Sequence, residues 1–141
     1  MNATLGAAFP PEAARQAAAW AAQGFGTLKV KVGGGGDEAD FARLAAVRAA
    51  VGPAVRLRVD ANGSWSEGQA LALLRRLAPL GIEYAEQPLA TENLAGMARL
   101  CAASPVPIAA DEMASGETQA GAVLQARAAH AHHLALLQQQ L

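Results

Sequence analysis

The chain has 141 residues, enough for one domain with its own hydrophobic core but not for two. Hydrophobic residues make up 52% and charged residues 16% of it, below the roughly 25% charged that typical soluble domains carry, which suggests that much of the surface is covered. The formal net charge is −1 and the only lysines are Lys29 and Lys31, so nucleic acid and anionic membranes are not expected partners.

Apolar and helical patterns alternate along the chain and predict five strands, each followed by a helix. The predicted strands cover residues 3–8, 27–32, 55–59, 82–85 and 107–110. The predicted helices cover residues 10–23, 37–51, 66–78, 91–103 and 115–141, the last as a single Ala- and Gln-rich helix. Asp37 is expected to cap the second helix, and Ser66 with Gln69 has the spacing of a capping box. This order predicts an α/β fold with a parallel sheet covered by helices, either an open doubly wound sheet or a barrel.

Targeting and redox features are few. Cys101 is the single cysteine, which excludes an internal disulfide and a Cys-based zinc site. No apolar run approaches the roughly 18 residues that span a bilayer. The first residues lack a basic segment followed by an apolar core, so we expect no secretory signal. The expected location is the cytoplasm, or a plastid if the source is a photosynthetic eukaryote.

Lys29 and Lys31 lie two residues apart in an otherwise apolar predicted strand. Strand alternation places both lysines on the same face. In a parallel sheet covered by helices that face is normally apolar, and two lysines there are costly to desolvate unless they line a polar site. An edge strand with one solvated face is the alternative.

Three acidic residues follow at nearly regular spacing: Asp60, Glu86 and Asp111. Each lies at or just after the end of a predicted strand, and the intervals of 26 and 25 residues are each one βα unit. Because neighbouring parallel strands lie roughly 4.8 Å apart, equivalent positions on three consecutive strands can converge on one ion. Oxygen ligands favour a hard cation and suit Mg²⁺. A single acid at a strand end is usually a helix cap, but three at this repeat beside the lysine strand favour a metal site.

Four short segments carry a resemblance to a known family: Lys29-Val-Lys31, Asp60-Ala-Asn62-Gly63, Glu86-Gln87-Pro88 and Asp111-Glu112. Their order and spacing resemble the enolase superfamily over residues 2–112. The most similar members are its muconate-lactonizing-enzyme subgroup and, within it, the o-succinylbenzoate synthases. The resemblance implies a partial (β/α) TIM-type barrel, roughly strands 1–5 with their helices, with the active site at the carboxyl ends of the strands.

The resemblance also implies roles for individual residues. Lys31 matches the catalytic acid/base lysine, and Lys29 matches its partner, whose positive charge is expected to favour the neutral, basic form of Lys31. Asp60, Glu86 and Asp111 match the three ligands of Mg²⁺.

Three further polar residues are candidates for the same site. Asn62 and Glu112 match adjoining polar positions that are expected to support the metal ligands or contact the substrate. Arg58 alternates with Asp60 onto the same face and could meet a substrate carboxylate, although packing inside the barrel is an equal alternative.

The implied chemistry is abstraction of a proton α to a carboxylate by a lysine, while Mg²⁺ stabilises the enediolate. In o-succinylbenzoate synthases the enediolate then expels a β-hydroxyl, a syn-dehydration of menaquinone or phylloquinone synthesis. Muconate cycloisomerases and dipeptide epimerases of the same superfamily use the same residues and stay alternatives. The expected small-molecule partner is therefore a carboxylate.

The family barrel has eight strands, a separate capping domain and a second catalytic lysine on its sixth strand, whereas no lysine follows Lys31 here. We therefore divide the chain into a barrel part, 1–112, and a divergent helical tail, 113–141, as in a truncated, frameshifted or fragmentary reading frame. The cluster of His130, His132 and His133 is read as part of that tail rather than as a metal site. An open half-barrel exposes strand edges, which predicts pairing with a second copy or with the missing half. The alternative to an enzyme is a non-catalytic fragment or interaction module.

Overall fold

The structure is a computed structural model that describes residues 1–6 and 8–130. Five strands form one parallel sheet: β1 (Asn2–Leu5), β2 (Thr27–Lys31), β3 (Arg56–Asp60), β4 (Ile82–Glu86) and β5 (Ile108–Ala109). One α-helix follows each strand: α1 (Pro10–Ala22), α2 (Asp37–Val51), α3 (Glu67–Leu77), α4 (Leu94–Ala103) and α5 (Glu117–Gln125). Short 3₁₀ turns cover Ala78–Leu80 and Glu112–Ala114.

The strand order in space is the order along the chain, β1-β2-β3-β4-β5. A doubly wound sheet reverses its strand order at a switch point, whereas a barrel wall does not. The sequential order therefore decides between the two predicted architectures in favour of the barrel. Within the described residues, no helix is long and apolar enough to cross a membrane.

The two faces of the sheet differ in polarity. Leu28, Val30, Leu57 and Val59 point to one face and are fully buried. They belong to one hydrophobic cluster with helix residues that include Ala13, Leu44, Leu73, Leu74 and Met97. The residues between them in sequence point to the other face, which in a barrel is the interior. The helices thus cover the apolar face and leave the lysine-bearing face available for a site.

The helix starts match the sequence only in part. The capping box before α3 is confirmed, because Gln69 N donates to Ser66 Oγ and Ser66 N donates to Gln69 Oε1, both at 3.3 Å. The prediction that Asp37 caps α2 is wrong: Gly36 occupies that position with φ +89°, and Asp37 is the first helical residue. Its carboxylate accepts from Gln69 Nε2 at 2.6 Å, which ties the start of α2 to the start of α3.

The last helix is shorter than predicted. It ends at Gln125, and Arg127 follows with φ +53°, so the single helix predicted over 115–141 is wrong within the described residues. Ala128 and Ala129 are buried in the common core, and His130 N donates to Ile108 O of β5 at 3.0 Å. The chain leaves the helix because these residues return to the sheet.

Much of the predicted tail lies outside the described residues, including His132 and His133. The described part of it packs on the same core as the rest of the chain. The domain boundary between 112 and 113 stays a prediction.

Candidate active site

The parallel register brings three predicted site residues side by side. Lys31 pairs with Asp60, and Asp60 pairs with Glu86, at the carboxyl ends of three neighbouring strands. Asp111 lies two residues beyond Ala109, the register partner of Glu86 on β5. The sheet thus places the base candidate and the carboxylates at the edge where barrel active sites form.

Lys29 lies one layer below this row and contacts two of its carboxylates. Its Nζ lies 3.4 Å from Asp60 Oδ2 and 3.2 Å from Glu86 Oε2. Both carboxylates are almost completely buried, 2% and 3% exposed. Burial alone would lower the pKa of Lys29, but the charges of Glu86 and Asp60 raise it above its ordinary value, so this lysine stays protonated.

Lys31 has a different environment. It is exposed, and its Nζ lies 3.3 Å from Asn62 Oδ1. Among the described residues no carboxylate lies within ion-pair distance of this ammonium group. Asn62 in turn donates from Nδ2 to Glu112 Oε1 at 2.8 Å, and its backbone N donates to Asp60 Oδ1 at 3.0 Å. The predicted supporting residues Asn62 and Glu112 are therefore brought together beside Lys31.

The conformation of Asn62 explains why an asparagine suits this position. Its φ of +47° lies in the left-handed region. Asn tolerates this region better than most residues, because its short side-chain amide can form hydrogen bonds with nearby groups. The turn lets the backbone bond to Asp60 while the side chain reaches the lysine.

Glu86 is the most perturbed acid of the site. Its pKa is raised to about 7, mainly by burial. A hydrogen bond with Asp111 and the charges of Asp60 and Asp111 also raise the pKa, and the charge of Lys29 opposes them. Asp60 and Glu86, both buried, thus share the ammonium group of Lys29, and Asp111 adds a third carboxyl group beside Glu86. The site carries an excess of negative charge that a cation would neutralise.

This donor set fits Mg²⁺ in its chemistry. All three candidate ligands, Asp60, Glu86 and Asp111, offer carboxylate oxygens, the ligands that hard divalent cations prefer. In residues 1–6 and 8–130 no three Asp, Glu, His or Cys side chains are arranged, as they stand, so that they could hold a metal ion. The three acids lie at or just after the ends of neighbouring strands and match Mg²⁺ in charge and ligand type, so they would hold the ion only together with water and substrate oxygens.

Arg58 is placed one layer below the carboxylates, in register with Lys29. Its Nε donates to Glu83, and its guanidinium lies 4.8 Å from the centre of the Tyr84 ring. These contacts support the packing alternative, and contact of Arg58 with a substrate carboxylate stays a prediction.

A buried ion pair between Arg43 and Asp40 lies beside the site, and it was not predicted from the sequence. Arg43 Nη1 lies 3.0 Å from Asp40 Oδ1, and the same nitrogen donates to the backbone O of Lys31 at 3.1 Å. Asp40 Oδ2 accepts from Gly33 N at 2.8 Å. The pair holds the backbone of β2 and the following glycine-rich turn. The sequence signal that could have predicted this ion pair is the i,i+3 spacing of the two opposite charges in a predicted helix.

Comparison with known proteins identifies the family of the chain. The family described as "Enolase C-terminal domain-like" matches residues 12–137. An L-Ala-D/L-Glu epimerase of Bacillus subtilis is 42% identical over 130 residues, 91% of this chain and 36% of that protein. An o-succinylbenzoate synthase of Thermobifida fusca is 45% identical over 115 residues, 79% of this chain and 34% of that protein.

Solved structures agree with these sequence matches. The substrate-liganded L-Ala-D/L-Glu epimerase from Bacillus subtilis superposes with a TM-score of 0.88 at 41% identity, covering 92% of this chain and 36% of that one. A dipeptide epimerase from Enterococcus faecalis, complexed with Mg and the dipeptide L-Leu-L-Tyr, gives a TM-score of 0.88 at 36% identity, with 92% and 36% covered. The chain spans about a third of the length of these relatives, and its fold is the corresponding part of their barrel. The chain belongs to the enolase C-terminal domain-like family of the enolase superfamily.

Proposed function

We propose that this chain supplies the base and the metal ligands for Mg²⁺-assisted abstraction of a proton α to a carboxylate. The observation that carries the proposal is the contrast between the two lysines of β2. Lys29 is ion-paired to Asp60 and Glu86, whereas Lys31 lies in the same row as these carboxylates but bonds to the neutral amide of Asn62. Lys31 is thus exposed and has no ion-pair partner among the described residues, so its amine is accessible to a bound substrate, as a general base must be.

In this mechanism Lys31, in its neutral form, takes the proton from the α carbon of the substrate. The amide of Asn62, itself held by Glu112, orients the Lys31 amine. Lys29 stays charged and offsets part of the negative charge of Asp60 and Glu86. When bound, Mg²⁺ supplies Lewis-acid stabilisation of the negative charge that develops on the substrate carboxylate.

The step after proton abstraction separates the candidate reactions. Elimination of a β-hydroxyl on the same face, as in o-succinylbenzoate synthases, needs one acid/base, because the protonated lysine can return its proton to the leaving hydroxyl. Epimerisation needs a second proton donor on the opposite face. Lys31 can serve elimination by itself, and it can serve epimerisation together with a group on the opposite face of the substrate. Similarity to dipeptide epimerases supports epimerisation as the second candidate, with the opposing group supplied from outside the described residues.

We further propose that the acting unit contains more strands than the five described. β1 and β5 are the edges of the described sheet, and barrels of this kind close with eight strands. The edges would pair with the remaining strands, from a longer polypeptide or from a second copy of the chain. Parallel pairing of this kind satisfies the edge N–H and C=O groups.

The test is a proton-exchange and product assay by ¹H NMR in D₂O with Mg²⁺. The chain is assayed alone and with a polypeptide that carries the remaining barrel strands, on the dipeptide L-Ala-L-Glu and on the cyclohexadiene carboxylate substrate of o-succinylbenzoate synthases. Dehydration of the cyclohexadiene indicates elimination, and loss of the dipeptide α-proton signal indicates epimerase-type chemistry. If the chain binds Mg²⁺ but catalyses neither reaction, the result contradicts the proposal and favours a non-catalytic module.

A further inference from the structure

Gln87 is the residue between Glu86 and Pro88, and it is completely buried, 0% exposed. Its backbone has φ +39°, a left-handed conformation that a residue with a long side chain adopts only where surrounding contacts hold it. A buried amide is costly unless its hydrogen bonds are made. Both polar atoms of the Gln87 side chain, Oε1 and Nε2, have hydrogen-bond partners. These bonds compensate for its burial and indicate a structural role.

The side chain of Gln87 connects β4 to the segment that follows β5. Its Oε1 accepts from the backbone N of Asp111 at 3.0 Å and from the backbone N of Met113 at 3.1 Å. Its Nε2 donates to Leu89 O at 2.8 Å, which fixes the orientation of the amide and aims the oxygen at the two N–H groups. Asp111 itself is therefore held through its own backbone.

The backbone of Gln87 connects β4 to both neighbouring strands. Its carbonyl accepts from Gly63 N at 2.7 Å, in the turn that follows Asp60. Its N donates to Ala109 O at 2.8 Å, at the end of β5. One buried residue, next to Glu86 in sequence, is thus bonded to the segments that carry Asp60 and Asp111.

We propose that Gln87 is a positioning residue that sets the spacing of the three carboxylates Asp60, Glu86 and Asp111. It does so by holding the Asp111 segment and the Gly63 turn against the end of β4. The inference rests on the proposed role of these carboxylates as Mg²⁺ ligands. Groups that orient metal ligands from behind typically change metal affinity 10–100-fold when they are removed.

The test compares three variants in two measurements. Gln87→Met keeps the length of the side chain but removes the acceptor for Asp111 N and Met113 N. Gln87→Glu keeps an oxygen acceptor for both. Gln23→Met makes the same chemical change at an exposed position after α1 and is the matched control. The measurements are Mg²⁺ affinity by calorimetry and amide hydrogen exchange of Asp111 and Met113 in the metal-free protein by NMR.

Gln87→Met is expected to bind Mg²⁺ about 10–100-fold more weakly and to exchange both amides faster. Gln87→Glu is expected to keep both amides protected, and Gln23→Met is expected to match the wild type in both measurements. A folded Gln87→Met that keeps wild-type Mg²⁺ affinity or wild-type protection of the two amides would overturn the proposal.

Two further outcomes are informative. If Gln87→Met does not fold, Gln87→Glu decides the question, because loss of protection at both amides in that folded variant would overturn the role of the oxygen acceptor. A wild type that binds no Mg²⁺ would contradict the proposed function, while the amide exchange of the variants would still report on whether Gln87 holds the Asp111 segment.

Discussion

The Nζ atom of Lys29 lies 3.2 Å from Oε2 of Glu86, and this ion pair separates the two lysines of β2 into different roles. Lys29 neutralises part of a crowded group of carboxylates. Lys31, two residues later on the same face, bonds to an amide. These contacts agree with the proposed division of roles between the two lysines, in which Lys31 is the base and Lys29 is its charged partner.

Substitution of Glu86 tests the electrostatics of the site through the pH dependence of stability. Its pKa is raised from an ordinary 4.5 to about 7. Because the folded state holds this proton more tightly than the unfolded chain, its stabilising contribution is complete below about pH 4.5 and is lost as the pH rises through about 7. In metal-free urea unfolding, wild-type stability relative to Glu86→Gln should therefore fall between these two pH values.

The control for this experiment is Glu92→Gln, which changes an exposed acid. Its stability should follow the wild-type pH curve. Wild-type stability that rises relative to Glu86→Gln over the same pH range would mean that Glu86 is ionised and well stabilised in the metal-free fold.

Magnesium binding should release a proton near neutral pH. Metal ligands must be deprotonated to bind, and Glu86 is partly protonated at pH 7 in the metal-free protein. We expect Mg²⁺ affinity to increase as the pH rises from 6 to 8, roughly up to tenfold per pH unit on the acid side of the pKa. Calorimetry in buffers of different ionisation enthalpy measures the released protons, and a pH-independent affinity without proton release would contradict the role of Glu86 as a ligand.

The buried pair of Arg43 and Asp40 should be important for stability. The two residues are 5% and 0% exposed. Arg43→Met leaves the Asp40 charge buried without its partner, which typically costs roughly 3–5 kcal/mol of unfolding free energy. The double variant Asp40→Asn with Arg43→Met should recover part of this loss, because no uncompensated charge remains.

An exposed ion pair provides the comparison for Arg43. Arg15 lies 2.6 Å from Glu12 on the surface of α1, with 74% of its side chain exposed. Solvent screens such a pair, so Arg15→Met should leave the urea midpoint unchanged. If Arg43→Met and Arg15→Met changed the urea midpoint equally, burial would not be the reason that the Arg43 pair contributes to stability.

The sequence predicted the parts of the site that depend on strand periodicity. Lys29 and Lys31 share a face because side chains alternate, and Asp60, Glu86 and Asp111 lie at or just after strand ends at the pitch of one βα unit. The α3 capping box was equally local and was also predicted. Strand alternation and the capping box depend only on neighbours within a few residues, and the three acids follow the repeat of one βα unit.

Contacts between distant segments could not be predicted in this way. Gln87 belongs to the Glu86-Gln87-Pro88 motif, but the motif does not reveal its role, because its partners Asp111 and Met113 lie more than twenty residues away in sequence. The end of α5 was missed for a similar reason. The Ala-rich segment after Gln125 has good helix propensity, but burial of Ala128 and the bond from His130 to β5 outweigh it.

The role of Lys31 as the base is tested most directly by the rate of α-proton exchange in D₂O. The wild type and Lys31→Met are compared, each with Mg²⁺ and with the remaining barrel strands supplied as a separate polypeptide. We predict that the wild type exchanges the substrate α-proton. Lys31→Met should still bind Mg²⁺ but exchange it roughly 100-fold or more slowly, the usual contribution of a positioned general base. Exchange by Lys31→Met at the wild-type rate would contradict the assignment of Lys31 as the base.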